Sequence, residues 1–383
     1  MNKSVWFVLA ILFAAALTAA PLVLPDQARA VTLEEAIAQA PQGTEKGQIN
    51  PQAEPGYLGI PGGPKVNLIL ALIWSIWVGW IFSTVGAFGG IMAGVGHITI
   101  FGLANYAKSF KETTPTLSKM LTDSIRVSNQ YLVGLSALIS TVNYWKMGRL
   151  VLSLAICLSI GSIAASTLVP ILTAGKVNLS AYLGYFGLCV LLLSGFLIYK
   201  ITPMGQASNK AAKAAAQAFE KAVKEKKEGT QGGVKVVSWG LGQIVFTFYG
   251  VQFKFNPFLP VIGGFVIAAV ASFLGVGGGF LLVPYMTALM GLPMFIVAGT
   301  SALAVLIGMI SSIFSYMFIM GVTVSWSLIG AELVGIFIGS MIGPRTSKYI
   351  PEKWLQLLFI VLALYVGLEY TSRGFFGFKI IPH

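Results

Sequence analysis

The segment Ser272-Phe-Leu-Gly275-Val-Gly277-Gly278-Gly279 has a looser twin, Ser83-Thr-Val-Gly86-Ala-Phe88-Gly89-Gly90, 189 residues earlier, and each lies inside an apolar run. This pairing restricts the architecture more than any other feature. Glycine is the poorest helix former after proline, so an apolar helix is expected to break at each site. A break inside hydrocarbon strands backbone N–H and C=O groups where lipid offers no partner, and is tolerated only where protein or a polar cavity surrounds it. Two such breaks at matching places imply two related membrane halves.

The rest of the chain agrees with a bilayer as its solvent. Hydrophobic residues make up 56% and charged residues 10%, and the mean hydropathy is +0.81. A soluble domain of this size carries a far more charged surface. The formal charge of +12 does not indicate nucleic acid, because the basic residues cluster between apolar runs, as cytoplasmic loops do under the positive-inside rule. Cys157 and Cys189 lie within apolar runs. They read as lipid-facing or packing residues, and their place in apolar runs argues against a disulfide framework.

Residues 1–30 carry Lys3, an apolar run from Val5 to Ala20, and Ala28-Arg29-Ala30. That order reads as a cleavable signal peptide, with an uncleaved transmembrane helix as the alternative. Residues 31–64 are polar and rich in Pro and Gly and are expected to form a poorly ordered external lead-in. A first transmembrane repeat then occupies 65–200, with apolar runs Val66–Ser83, Gly86–Asn105, Ile125–Tyr144, Leu150–Ala174 and Leu179–Lys200. A basic cytoplasmic loop, 201–256, separates it from a second repeat, 257–371, and a tail of 372–383. The second repeat has runs Pro257–Gly275, Gly277–Gly291, Met294–Met320, Thr323–Gly343 and Trp354–Tyr370. Within the loop, Asn209–Lys227 predicts a short solvated helix. Ser238–Phe255 alternates enough to predict a strand pair, or else an interfacial amphipathic segment.

The first two runs of each half could form one broken helix or a hairpin. Lysines between 210 and 235 place the loop inside, and counting outward places Lys146 and Arg149 inside too. With hairpins, Arg345, Lys348 and Lys353 also fall inside, as the positive-inside rule favours. Five segments per half, an odd number, would make the two repeats inverted. The turn Lys146-Met-Gly148 aligns with Ile319-Met-Gly321 at a second offset of 173, so the first half carries 16 extra residues, fitted by the polar stretch Lys108–Lys119. The expected fold class is an all-α polytopic membrane protein of two inverted repeats of about five segments, each with a glycine-broken helix or hairpin.

At such breaks, glycine backbone and a helix N-terminus present unpaired N–H donors, which suit an anion. Gly86, Gly89, Gly90, Gly275, Gly277, Gly278 and Gly279 are therefore candidate binding residues. The competing reading is close helix packing through small residues.

The run Gly275-Val-Gly277-Gly278-Gly279-Phe-Leu-Leu-Val-Pro284, followed by Ala298-Gly299-Thr300-Ser301 and the small-residue helix Gly335–Gly343, resembles the sulfite exporter TauE/SafE family. The likeness covers the second half well and the first more loosely, where Phe88 and Val95 depart from the pattern. It implies a multi-pass carrier in a prokaryotic inner membrane, commonly an exporter, whose partner is a small sulfur-containing anion such as sulfite or an organosulfonate.

At the second offset Ser128 aligns with Ser301 and Val127 with Thr300. Ser128, Thr300 and Ser301 are thus candidate oxyanion donors, joined by the amides of Asn129 and Gln130, with interhelical bridging as the alternative role. Glu332, near the middle of an apolar run, and His97 are candidates for proton coupling, or else packing residues. Asp123 and Arg126 could form an ion pair, or Arg126 could attract anions at the outer mouth. Metal-ligand spacing, phosphate loop and nucleophile elbow are missing from the sequence, so it suggests no enzyme and no cofactor. A receptor or structural membrane protein is the competing class, and self-association stays open.

Overall fold

The computed structural model describes residues 31–85, 89–173, 179–202, 210–225, 232–274, 279–319, 321–378 and 380. The leader at 1–30 and the break residues Gly86, Gly275, Gly277 and Gly278 lie outside the described residues. The chain is mostly helical. Four described helices are long and apolar enough to cross a bilayer: Leu68–Val85, Met294–Phe318, Trp326–Ser347 and Glu352–Phe376.

The first half contains α1 (Leu33–Gln39), α2 (Leu68–Val85), α3 (Gly89–Val95), α4 (Leu103–Ser109), α5 (Pro115–Lys146), α6 (Leu152–Thr173) and α7 (Leu179–Ile201). After helix α8 (Lys210–Lys224) come β1 (Lys235–Trp239), β2 (Ile244–Phe248) and β3 (Val251–Phe255). The second half contains α9 (Phe258–Leu274), α10 (Gly279–Pro284), α11 (Met294–Phe314), α12 (Trp326–Ser347) and α13 (Glu352–Thr371). Helices α3 and α10 each run into a π-helical turn, Gly96–Ile100 and Tyr285–Leu289, at the 189-residue offset. Gly102 and Gly291 close the two turns in the left-handed region, at φ +69° and +68°, where a side chain would be strained.

Both glycine-linked pairs fold back as hairpins. A Cβ added at Gly89 would lie 3.0 Å from the Val78 carbonyl oxygen, whereas an uninterrupted helix would separate those residues by about 16 Å. Trp74 Nε1 donates to the Met92 carbonyl at 3.2 Å, and Tyr285 donates through its hydroxyl to the Leu259 carbonyl at 2.8 Å.

Helices pair across the halves. Helix α2 packs along α12, α6 along α9, α5 against α11 and α7 against α13, while α3 touches α10. The α2–α12 contact is set by Gly335, Gly339 and Gly343, where an added Cβ would strike α2 at Leu72–Ser75, Ile76 and Ser83. Lipid gives helices no hydrophobic reason to associate, so backbone approach through small residues supplies the dispersion contact instead. The Gly335–Gly343 stripe is therefore a packing surface.

Four sequence expectations change. The stretch 31–64 is folded: Thr32 caps α1 through a reciprocal box with Glu35, and Ala36, Ala40, Ile49, Tyr57 and Ile60 are buried against Phe110, Leu117 and Leu121 of the first half. Helix α5 starts at Pro115, ten residues before the apolar run. At 32 residues, about 48 Å, it exceeds the roughly 30 Å hydrocarbon core, so its polar first turns project outward. Helix α8 is not solvated all round, since Ala215, Ala216 and Phe219 are buried; its alanines hid a narrow apolar face. The strand pair is a three-stranded antiparallel sheet in the order β1-β2-β3, with Ile244, Phe246 and Phe248 of β2 buried on one face.

Candidate functional site

His97 lies in the first π-helical turn, a widened form of helix that often marks functional sites. Its Nδ1 lies 2.5 Å from Asn129 Oδ1 on α5, and its Nε2 lies 3.1 Å from Glu332 Oε2 on α12. His97 is fully buried and Glu332 is 1% exposed. The three residues come from three elements and from both halves.

This geometry constrains the protons. Asn129 Oδ1 can only accept, so Nδ1 carries a hydrogen and donates. Nε2 and Oε2 then share one proton between them, either as imidazolium with carboxylate or as neutral imidazole with carboxylic acid. An unpaired charge at this depth would cost several kcal/mol, about the penalty for an ionised group in a bilayer. Adjacent acid and base avoid it together.

Beside the triad lies a small cavity of about 50 Å³ lined by Gly90, Gly94, Arg126, Asn129, Gln130 and Val133, with Met309 and Tyr370 from the second half. Asn129 Nδ2 faces Gly94, 3.4 Å from where a Cβ there would stand. Arg126 reaches Asp123 at 3.4 Å and keeps a side-chain exposure of 28%, against 9% for Asp123. Gln130 has a buried side-chain oxygen without a hydrogen-bond partner among the described residues. The cavity therefore sets the side-chain amides of Asn129 and Gln130 and the Arg126 guanidinium against glycine backbone; the amide N–H groups and the guanidinium can donate to a small oxyanion, whereas the unpartnered Gln130 oxygen can only accept.

The predicted hydroxyls occupy other places. Ser128 donates to the Ser124 carbonyl at 2.8 Å, and Ser301 to the Ala298 carbonyl at 3.1 Å. Thr300 donates to the Ile296 carbonyl at 2.7 Å and accepts the Val151 N–H at 3.1 Å. Each hydroxyl has spent its single proton on backbone, and Thr300 and Ser301 do not line the cavity. Gly89 and Gly279 begin the return helices and are buried.

Sequence reasoning missed one cluster. Arg149, read only as a cytoplasmic marker, is 2% exposed. It donates to the Phe295 carbonyl at 3.0 Å and to Ser347 Oγ at 3.4 Å, beneath the rings of Tyr144, Phe219 and Phe295. Tyr144 in turn donates to the Ser83 carbonyl at 2.5 Å, beside the first glycine break. This knot ties both halves and α8 together at the C-terminal end of α5. An arginine at the end of an apolar run carries no sequence sign that distinguishes burial from a topology marker.

The family model for the sulfite exporter TauE/SafE matches residues 71–370, which takes in both hairpins and the whole triad. The chain belongs to the TauE/SafE family. Neither the curated proteins nor the solved structures gave a significant match. Membership makes this a multi-pass membrane protein of a transporter family, and implies a small anion, sulfite or a relative, as cargo. TauE/SafE members are transporters and not enzymes.

Proposed function

We propose that this TauE/SafE protein is a secondary carrier that moves sulfite, an organosulfonate or a related sulfur oxyanion by alternating access, exporting it across a prokaryotic inner membrane. The observation that carries the reading is the double role of Asn129. One end of its amide holds His97, which shares a proton with Glu332, and the other faces the cavity shared with Arg126, Gln130 and Gly90. Anion and proton sites thus meet in one side chain.

In this mechanism Arg126 draws the anion in, the amides of Asn129 and Gln130 orient it, and the backbone of the glycine breaks completes its coordination. A proton on the His97–Glu332 pair offsets the added negative charge, so loading and protonation favour each other. The two-fold pattern of pairing, α2 with α12 and α6 with α9, α5 with α11, α7 with α13, supports inverted repeats that rock about the site. The buried Arg149 knot fits an inner closure.

The experiment is uptake of labelled sulfite into proteoliposomes under imposed pH and voltage gradients, with sulfate, thiosulfate and a small sulfonate as competitors. Saturable flux that a competitor blocks is expected. Correctly inserted protein that gives no flux under any gradient with any of these anions would overturn the carrier reading in favour of a receptor.

A further inference from the structure

A loop packed against α5 near the triad has a construction that the transport reading does not explain. Residues 56–63 read Gly-Tyr-Leu-Gly-Ile-Pro-Gly-Gly. The loop is pinched shut by backbone bonds from Gly56 N–H to the Ile60 carbonyl at 2.9 Å and from Tyr57 N–H to the Pro64 carbonyl at 3.0 Å. At its neck a Cβ on Gly56 would collide with Gly63 backbone, and Leu58 is held at φ +58°, a left-handed conformation costly for a branched side chain. Glu54 and Lys65 pair across the base. Such a closed loop holds one side chain in a fixed direction.

That side chain is Tyr57, 4% exposed although it precedes the first long apolar helix, Leu68–Val85. Its hydroxyl lies 3.0 Å from Ser124 Oγ, and Ser124 precedes Asn129 by about 7.5 Å along α5. Burial pushes the Tyr57 phenol above its ordinary value. Hydrogen bonds with Ser124 and Ser128 oppose the rise, and Glu332 adds to it. The phenol is therefore neutral at physiological pH and shares a hydrogen bond with Ser124 in which either oxygen can donate. Ile60, fully buried, with Ala36 of α1 and Ala40 at its C-cap, anchors the loop on the projecting turns of α5.

We propose that residues 31–64 form an outer cap in which Tyr57 is the gating residue, sealing the external route to the His97–Asn129–Glu332 site while seated on Ser124. The cap must lift for the site to face outward. Tyr57 is a positioning and gating group and does not itself bind the cargo. This rests on the proposed site as the thing being covered, and its test reads accessibility independently of flux.

In protein with Cys157→Ser and Cys189→Ser, a reporter Ser128→Cys is challenged in right-side-out proteoliposomes with a membrane-impermeant maleimide. With Tyr57 in place labelling is expected to be slow. Tyr57→Ala should speed it about tenfold or more, as expected when a locally closed state is opened. Tyr57→Phe, which keeps the ring, should raise it in the same direction by less, and decides the matter if the alanine variant does not fold. A deeper control, Ser136→Cys, should stay slow throughout. Equal labelling of Ser128→Cys with all three residues at position 57, or an equal rise at Ser136→Cys, overturns the cap. A labelling rise in protein that carries no tested anion would uphold the cap and defeat the transport reading instead.

Discussion

At Asn129 the side-chain oxygen orients His97 while the amide nitrogen faces the cavity, so removing the amide should cost anion binding and proton coupling together. Glu332→Gln separates the two roles. The proton shared with His97 Nε2 is lost, and pH-gradient-driven accumulation of sulfite should disappear while exchange of labelled for unlabelled anion persists. Retained accumulation would remove Glu332 from coupling. Arg126→Gln should act on affinity alone, raising the apparent KM for sulfite about tenfold to hundredfold, the equivalent of the roughly 1.5–3 kcal/mol of a charge-assisted hydrogen bond. At Gly90 an added Cβ would stand 3.2 Å from Val133 Cγ2. Gly90→Leu should therefore fill the cavity and abolish flux without affecting membrane insertion, and normal flux would move the site elsewhere.

The elements follow from where small residues fall. On α12 a Cβ at Gly339 would meet the Ile76 carbonyl and lie 2.8 Å from Trp80 N, backbone that cannot turn aside. Gly339→Leu should lower the thermal midpoint in detergent through a loss of at least about 1–3 kcal/mol, the usual range for overpacking. An unchanged midpoint would mean that α2 and α12 do not depend on this seam. Phe219 of α8 stands 4.5 Å from the Phe295 ring and 5.9 Å from Phe248, centroid to centroid. Phe219→Ala should release α8, with faster amide exchange over 210–224 and a cost of the order of 3 kcal/mol.

Across the whole molecule, pairing between halves predicts sidedness. With a hairpin in each half and an odd number of segments per repeat, Lys213 and Lys353 are expected on one face and Glu54 on the other. Impermeant thiol labelling of Lys213→Cys, Lys353→Cys and Glu54→Cys should divide two against one in that order. Labelling of Lys213→Cys and Lys353→Cys from opposite faces would break the odd count of segments and the inversion with it.

Much of this was legible in the chain itself. The 189-residue offset between glycine motifs reappears in the paired π-helical turns and in Gly102 and Gly291, because glycine spacing and apolar run length act locally and bilayer thickness demands them. Ser128, Thr300 and Ser301 were legible as polar groups at depth, but their roles were not, since a hydroxyl can turn to its own backbone three or four residues back. The meeting of His97 with Glu332, 235 residues apart, had no local sign. Burial of Arg149 and the folding of 31–64 were likewise decided by distant partners. Periodicity and hydropathy report how a segment meets its solvent; which side chain meets which across the core depends on helix approach, and only tertiary packing sets that distance.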